Sequence, residues 1–178
     1  MSLFRASIPG GLRLLAVGLL FFCHPGQADE DTHTFLSQAF VSGIPDPAVL
    51  WLTGERAEMA AAILGHKPPS LRQRYWRKGH RTAWILEAIG KEKSITAGFI
   101  IDEGKLVDTR VLAYRESRGW EIGHAFFTDQ FKGLRLADDT NLSGHIDNIT
   151  GATLSVNAMK RMARLALYLD GALADVTP

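Results

Sequence analysis

Hydrophobic positions along this chain change period twice. From Thr34 to Leu64 they recur at helical spacing with interruptions. Pro45 and Pro47 break the run, Thr53-Gly54-Glu55 opens a second short helix containing Met59, Ala60 and Leu64, and Gly65 with Pro68-Pro69 ends it. From Leu71 the period shortens. Thr82 to Ile89, Ile95 to Ile101 and Lys105 to Tyr114 are short runs rich in β-branched and aromatic residues, separated by Gly90-Lys91-Glu92-Lys93 and Asp102-Glu103-Gly104 as turns. That pattern predicts an antiparallel meander. Helical spacing returns from Ile122 to Phe131, with Ile122, Phe126 and Gln130 on one stripe, Phe127 and Phe131 on the next, and Gly133 as a stop. A loop of Asp, Asn, Ser and Gly residues follows. The last periodic segment runs from Leu154 to Leu169, its apolar face made by Leu154, Ala158, Met162, Leu165 and Leu169. An antiparallel sheet flanked by helices is the α+β class.

The first residues carry a different signal. Arg5 and Arg13 give a positive start, Leu12 to Phe22 is apolar, and Gly26-Gln27-Ala28 ends in small residues suited to cleavage before Asp29. The apolar run is shorter than the roughly 20 residues of a comfortable membrane span. Residues 1–28 therefore read as a secretory signal peptide and residues 29–178 as a single domain, large enough for its own core. Phe21 and Phe22 stand before Cys23 where a lipoprotein signal would need small residues. Cleavage would remove Cys23, the one cysteine of the chain, and with it any thiolate chemistry. It would also remove two of the 20 basic residues against 19 acidic ones, tipping the formal charge from +1 to −1. Such a balance gives no footing for nucleic acid.

The chemistry-bearing stretch is Asp147-Asn148-Ile149-Thr150-Gly151-Ala152-Thr153-Leu154-Ser155. A small, flexible Thr-Gly-Ala turn delivers Thr153 to the start of the last helix. First-turn amides lack intrahelical partners and carry partial positive charge, so this turn is a natural phosphate seat. The residue at the seat bears a hydroxyl, which either hydrogen-bonds a phosphate or is esterified by it. The plainer alternative is that Thr150 or Thr153 merely caps a helix after a glycine turn.

The same stretch resembles the flavinylation motif of the FMN-binding domain family, roughly Asp-x-x-(Ser/Thr)-Gly-Ala-(Ser/Thr)-x-(Ser/Thr). Members include the FMN-bearing subunits of the sodium-pumping NADH:quinone oxidoreductase and of the Rnf complex, and free-standing secreted domains. The resemblance implies an FMN-binding-domain-like fold with FMN joined by a phosphoester to Thr153. It also implies an FAD- and magnesium-dependent flavin transferase as the maturation partner. Asp147, Thr150, Gly151, Ala152 and Ser155 fall on matching positions, Asp147 either aligning the loop or meeting the transferase-bound magnesium. Asn148 departs from the pattern, which more often has a smaller residue there, and is expected to matter little.

A second stretch, Tyr114-Arg115-Glu116-Ser117-Arg118-Gly119-Trp120, leads from the last strand into the aromatic helix. In the family, a strand ending in Glu, a Gly-containing turn and a helix ending in Asp/Gln-Phe form part of the flavin pocket. Here these are Glu116, Gly119 and Thr128-Asp129-Gln130-Phe131-Lys132-Gly133, with Ser117-Arg118 in place of the Thr-Pro found in some members. Trp120 or Phe126 offers a flat contact for an isoalloxazine ring, and Arg118 a cation for its reduced form. The alternative is a loop with Glu116 paired to Arg115 or Arg118, and Trp120 in the core.

Other patterns carry less. The basic, aromatic run from Leu71 to Arg81 reads as a solvated strand edge guarded by charge, with docking to an acidic redox partner or anionic lipid as the alternative. The histidines show no metal-ligand spacing, Ser143, His145 and Asp147 alternate in one loop without triad geometry, and no G-x-G-x-x-G follows a strand. The expected protein is a periplasmic or otherwise exported monomer carrying electrons between membrane or periplasmic partners. A small flavin-dependent reductase or a non-redox binding module of the same fold are the alternatives.

Overall fold

A computed structural model describes residues 26–138 and 140–174. The signal peptide expected over residues 1–28 lies outside them, apart from Gly26 to Ala28. The chain runs α1 (Gly26–Ala39), β1 (Ala48–Trp51), α2 (Glu55–Leu64), β2 (Arg72–Lys78), β3 (Arg81–Ile89), β4 (Ser94–Asp102) and β5 (Lys105–Tyr114). Three single helical turns follow, the middle one being α3 (Ala125–Thr128), and α4 (Thr153–Gly171) closes the fold. All five strands form one antiparallel sheet in sequence order.

The sheet is the middle layer. Seven consecutive residues of β4, Ile95 to Ile101, are buried, because both faces of that strand are covered. On one face α1 lays Phe35, Leu36 and Ala39 against Trp76, Ala83, Ile100 and Leu112. A Cβ at Gly98 would sit 2.5 Å from the Phe35 ring, so glycine there lets the ring lie directly on the sheet. On the other face α4 and α2 pack Met159, Met162, Leu165, Leu169, Ile63 and Leu64 over Trp84, Leu86, Phe99 and Ile101. Each fully buried side chain of this size contributes about 1.5–3 kcal/mol.

Four sequence expectations are corrected. Ala48–Trp51, read inside an interrupted helical stretch, is a strand; Pro45 and Pro47 hold the preceding backbone extended, and the segment then pairs with β2. Arg72–Lys78 is consequently not an edge. β1 covers it in register from Ala48–Tyr75 to Trp51–Arg72, and the Arg72 guanidinium lies 5.6 Å over the Trp51 ring. The Ile122–Phe131 helix is split into 3-10, α and 3-10 turns, so Ile122, Phe127 and Phe131 are buried while Phe126 faces solvent at 61% exposure. Leu154, at 51% exposure, is not on the apolar face of α4.

Candidate functional site

α4 begins without a side-chain cap. Gly151 takes a left-handed φ of 84°, Ala152 occupies the cap position, and the Val156 amide makes the first bond to the Ala152 carbonyl at 2.9 Å. The helix geometry thus leaves the amides of Thr153, Leu154 and Ser155 without intrahelical acceptors. Neither Thr150 nor Thr153 caps them, which removes the plain capping alternative. The Thr153 side chain is exposed. Its Oγ1 accepts a hydrogen bond from Asn148 Nδ2 at 2.9 Å. The residue that departs from the family pattern is therefore the partner of the candidate acceptor hydroxyl.

A cleft of about 360 Å³ opens at this helix start. Gly151 to Ser155 form one wall, Glu116 to Arg118 the second, and Lys91 with Glu92 from the β3–β4 turn the third. Glu116 holds the last two walls together. One of its oxygens, Oε1, accepts the backbone amides of Lys91, Glu92 and Lys93 at 2.6, 2.7 and 2.9 Å. Those donors, led by the Lys93 amide, hold its carboxyl below the ordinary glutamate range. The alternative pairing of Glu116 with Arg115 or Arg118 is not made among the described residues. Arg115 instead donates to Thr96 Oγ1 at 3.1 Å and stands 3.9 Å from Glu87.

Close contacts lock the walls. Tyr114 Oη donates to the Arg118 carbonyl and lies 3.1 Å from the buried Ser155 Oγ. Gly119 has φ 85°, and a Cβ there would meet Tyr114 Oη at 2.8 Å and the Ala152 Cβ at 2.9 Å. Glycine is required on both counts, since the backbone is left-handed and the two loops touch. Gly90 sits at the back of the cleft, where a Cβ would lie 3.1 Å from Glu116 Oε1 and 3.2 Å from Ser155 Oγ.

Of the residues singled out from sequence, Glu116, Arg118, Gly151, Ala152, Thr153 and Ser155 line this cleft, and Gly119 lies behind it. Asp147, Thr150 and Trp120 are exposed and stand off its lining. The Asp147 amide donates to Gln130 Oε1 at 2.8 Å, and its carboxylate is 3.5 Å from His145. Trp120 is not a core residue. It is 60% exposed and packs on His124 at 4.7 Å, with Phe126 beyond at 6.0 Å from that imidazole. Sequence reasoning missed Asn148, Lys91, Tyr114 and Gly90. Asn148 lay within the motif, Tyr114 opened the second stretch and Gly90-Lys91-Glu92-Lys93 read as a turn, but none of these signals gave them a role.

The residues present suit a phosphate-bearing ligand. Open first-turn amides suit a phosphate, and Lys91 and Arg118 supply positive charge. Residues 90–168 match the sequence model of the FMN-binding domain, a span that starts at the β3–β4 turn and contains all three walls. In structure the chain is similar to Shewanella oneidensis NqrC, with a TM-score of 0.58 and 14% identity over 84% of this chain and 99% of that one. No curated protein matches the chain in sequence.

Proposed function

With residues 90–168 of this chain an FMN-binding domain, we propose that the protein is an exported electron carrier whose FMN is held by a phosphoester to Thr153 Oγ1. One observation carries the reading: an exposed threonine hydroxyl stands in the first turn of an uncapped helix, on the lining of a cleft walled by Glu116 and Arg118. Bound there, the flavin would supply one- or two-electron transfer. The remaining work belongs to the chain. The amides of Thr153 to Ser155 would hold the phosphate, and Asn148 aims the Thr153 hydroxyl. Arg118 and Lys91 offset negative charge that builds in the cleft, while Glu116 keeps the β3–β4 turn closed against the loop after β5.

A covalent link has a physical reason outside the cytoplasm. Nanomolar binding, about −12 kcal/mol, still leaves a site empty once free ligand falls well below that concentration. A tether keeps the group at high effective concentration near its pocket. Export accords with the fold at the other end. Cleavage before Asp29 falls near the start of α1 and leaves in place the residues by which that helix packs on the sheet, Phe35, Leu36 and Ala39. In this reading Thr153 is the substrate of an FAD- and magnesium-dependent flavin transferase, and the mature monomer passes electrons between membrane or periplasmic partners.

The test is to make the mature chain alongside a flavin transferase, denature it, and look for flavin fluorescence migrating with the polypeptide. Thr153→Ser should keep the fluorescence and Thr153→Val should lose it. Retained covalent flavin in Thr153→Val overturns the attachment site. A colourless parent leaves the fold as a binding module without its cofactor.

A further inference from the structure

A second cleft, of about 320 Å³, lies further along α4 and takes no part in the reading above. Lys160, Arg161 and Arg164 come from the helix, with Asn157 one turn before them, and His145 and Asn141 come from the loop that folds over it. Among the described residues no carboxylate lines it. Among the described residues none of the three helix cations has an ion-pair partner. Arg164 is tied by Nη1 to the Thr140 carbonyl at 3.0 Å and by Nε to the Lys160 carbonyl at 3.3 Å. Arg161 Nε is buried and has no hydrogen-bond partner.

This arrangement is unfavourable as it stands. Three like charges share a helix face within one turn, one of them with a desolvated donor left unmade. A buried donor left unmade loses its hydration without gaining a partner. Burial, and then the charge of Arg161, push the Arg164 guanidinium down from its ordinary value. A multiply charged oxyanion would relieve both costs at once, because guanidinium groups donate in a fork that matches phosphate oxygens. We propose that the cleft formed by Lys160, Arg161, Arg164 and His145 binds a phosphate-monoester group, from a soluble metabolite or from a lipid headgroup. The site is separate from the flavin cleft: Lys160 lies seven residues beyond Thr153, roughly 10 Å along the helix.

The experiment titrates inorganic phosphate into the full mature chain at constant ionic strength set with chloride, reading Tm. The parent should show a saturable rise of roughly 3–6 °C. Lys160→Gln and Arg161→Lys should each weaken the response about tenfold, the second while keeping its charge. Neither residue touches the cleft at Thr153, so flavin attachment to both variants should match the parent. That readout also confirms that they fold. A rise of equal size in parent and variants would place phosphate elsewhere and overturn the proposal, as would no rise in the parent. Co-sedimentation with phosphatidylcholine vesicles doped with phosphatidic acid, lost in Lys160→Gln, identifies a lipid headgroup. Glycerol 3-phosphate raising Tm without vesicle binding identifies a soluble ester.

Discussion

The domain holds two runs of three consecutive backbone amides within one cleft, and treats them oppositely. The amides of Lys91, Glu92 and Lys93 are all taken by a single oxygen of Glu116. Those of Thr153, Leu154 and Ser155 stand at a helix start with no side chain to cap them. Either run suits an anion equally well on local grounds. The chain supplies its own carboxylate to the one whose job is to join two loops, and leaves open the one that carries an exposed hydroxyl. An uncapped helix start costs roughly 0.5–2 kcal/mol relative to a good cap. A feature that local energetics would have removed therefore supports the proposed phosphate seat on that side of the cleft.

Breaking the open run should have the largest effect. Thr153→Val is expected to abolish covalent flavin while leaving Tm within a degree or two of the parent, because the side chain is exposed and caps nothing; in-gel fluorescence beside a thermal melt checks both. Closing the gap between the loops should be next in size. Gly119→Ala places a methyl group against Ala152 and Tyr114 in a left-handed backbone and should destabilise by about 2–4 kcal/mol, read by denaturant unfolding.

Smaller changes sharpen the contrast. Asn148→Ala removes the one side-chain partner of Thr153 Oγ1. One hydrogen bond of that kind is worth about 0.5–1.5 kcal/mol, so the initial rate of flavin attachment should fall roughly two- to tenfold with no change in Tm. The closed run should answer to acid. The Glu116 carboxyl is held below its ordinary value in the folded state, so its contribution is fully present above the unfolded pKa of about 4.3 and is lost as pH falls through the lower native value. Glu116→Gln should flatten that part of the stability profile, measured by chemical unfolding from pH 6 downward; an unchanged slope would mean that the three amides do not hold the carboxylate in solution.

Most of the fold was legible because its signals are local. The β3–β4–β5 meander announces itself by β-branched runs and two turns, and α4 by its apolar face and the Thr-Gly-Ala entry. β1 was not legible: four residues inside a stretch otherwise helical become a strand only because β2 is beside them. The same pairing turned a supposed edge into an interior strand. At the site, Thr153, Ser155 and Glu116 could be picked out from a motif, but the partners of Glu116 are 23 to 25 residues away, and spacing says nothing of them. Asn148 read as an incidental departure, since a hydrogen bond across a turn leaves no periodicity. For Trp120 sequence left ring contact and core packing both open, and only the direction in which its 3-10 turn faces removes the core alternative.

The Glu116 latch also sets an order of events. The cleft has no existence in any one segment, for its walls come from a hairpin turn, the loop after the last strand and the entry to the terminal helix. Until that helix docks on the sheet, a transferase meets only a threonine in a flexible chain. Under the proposed attachment, modification of Thr153 would therefore belong to the finished domain, and the flavin content of a preparation would double as a count of molecules that reached the native state.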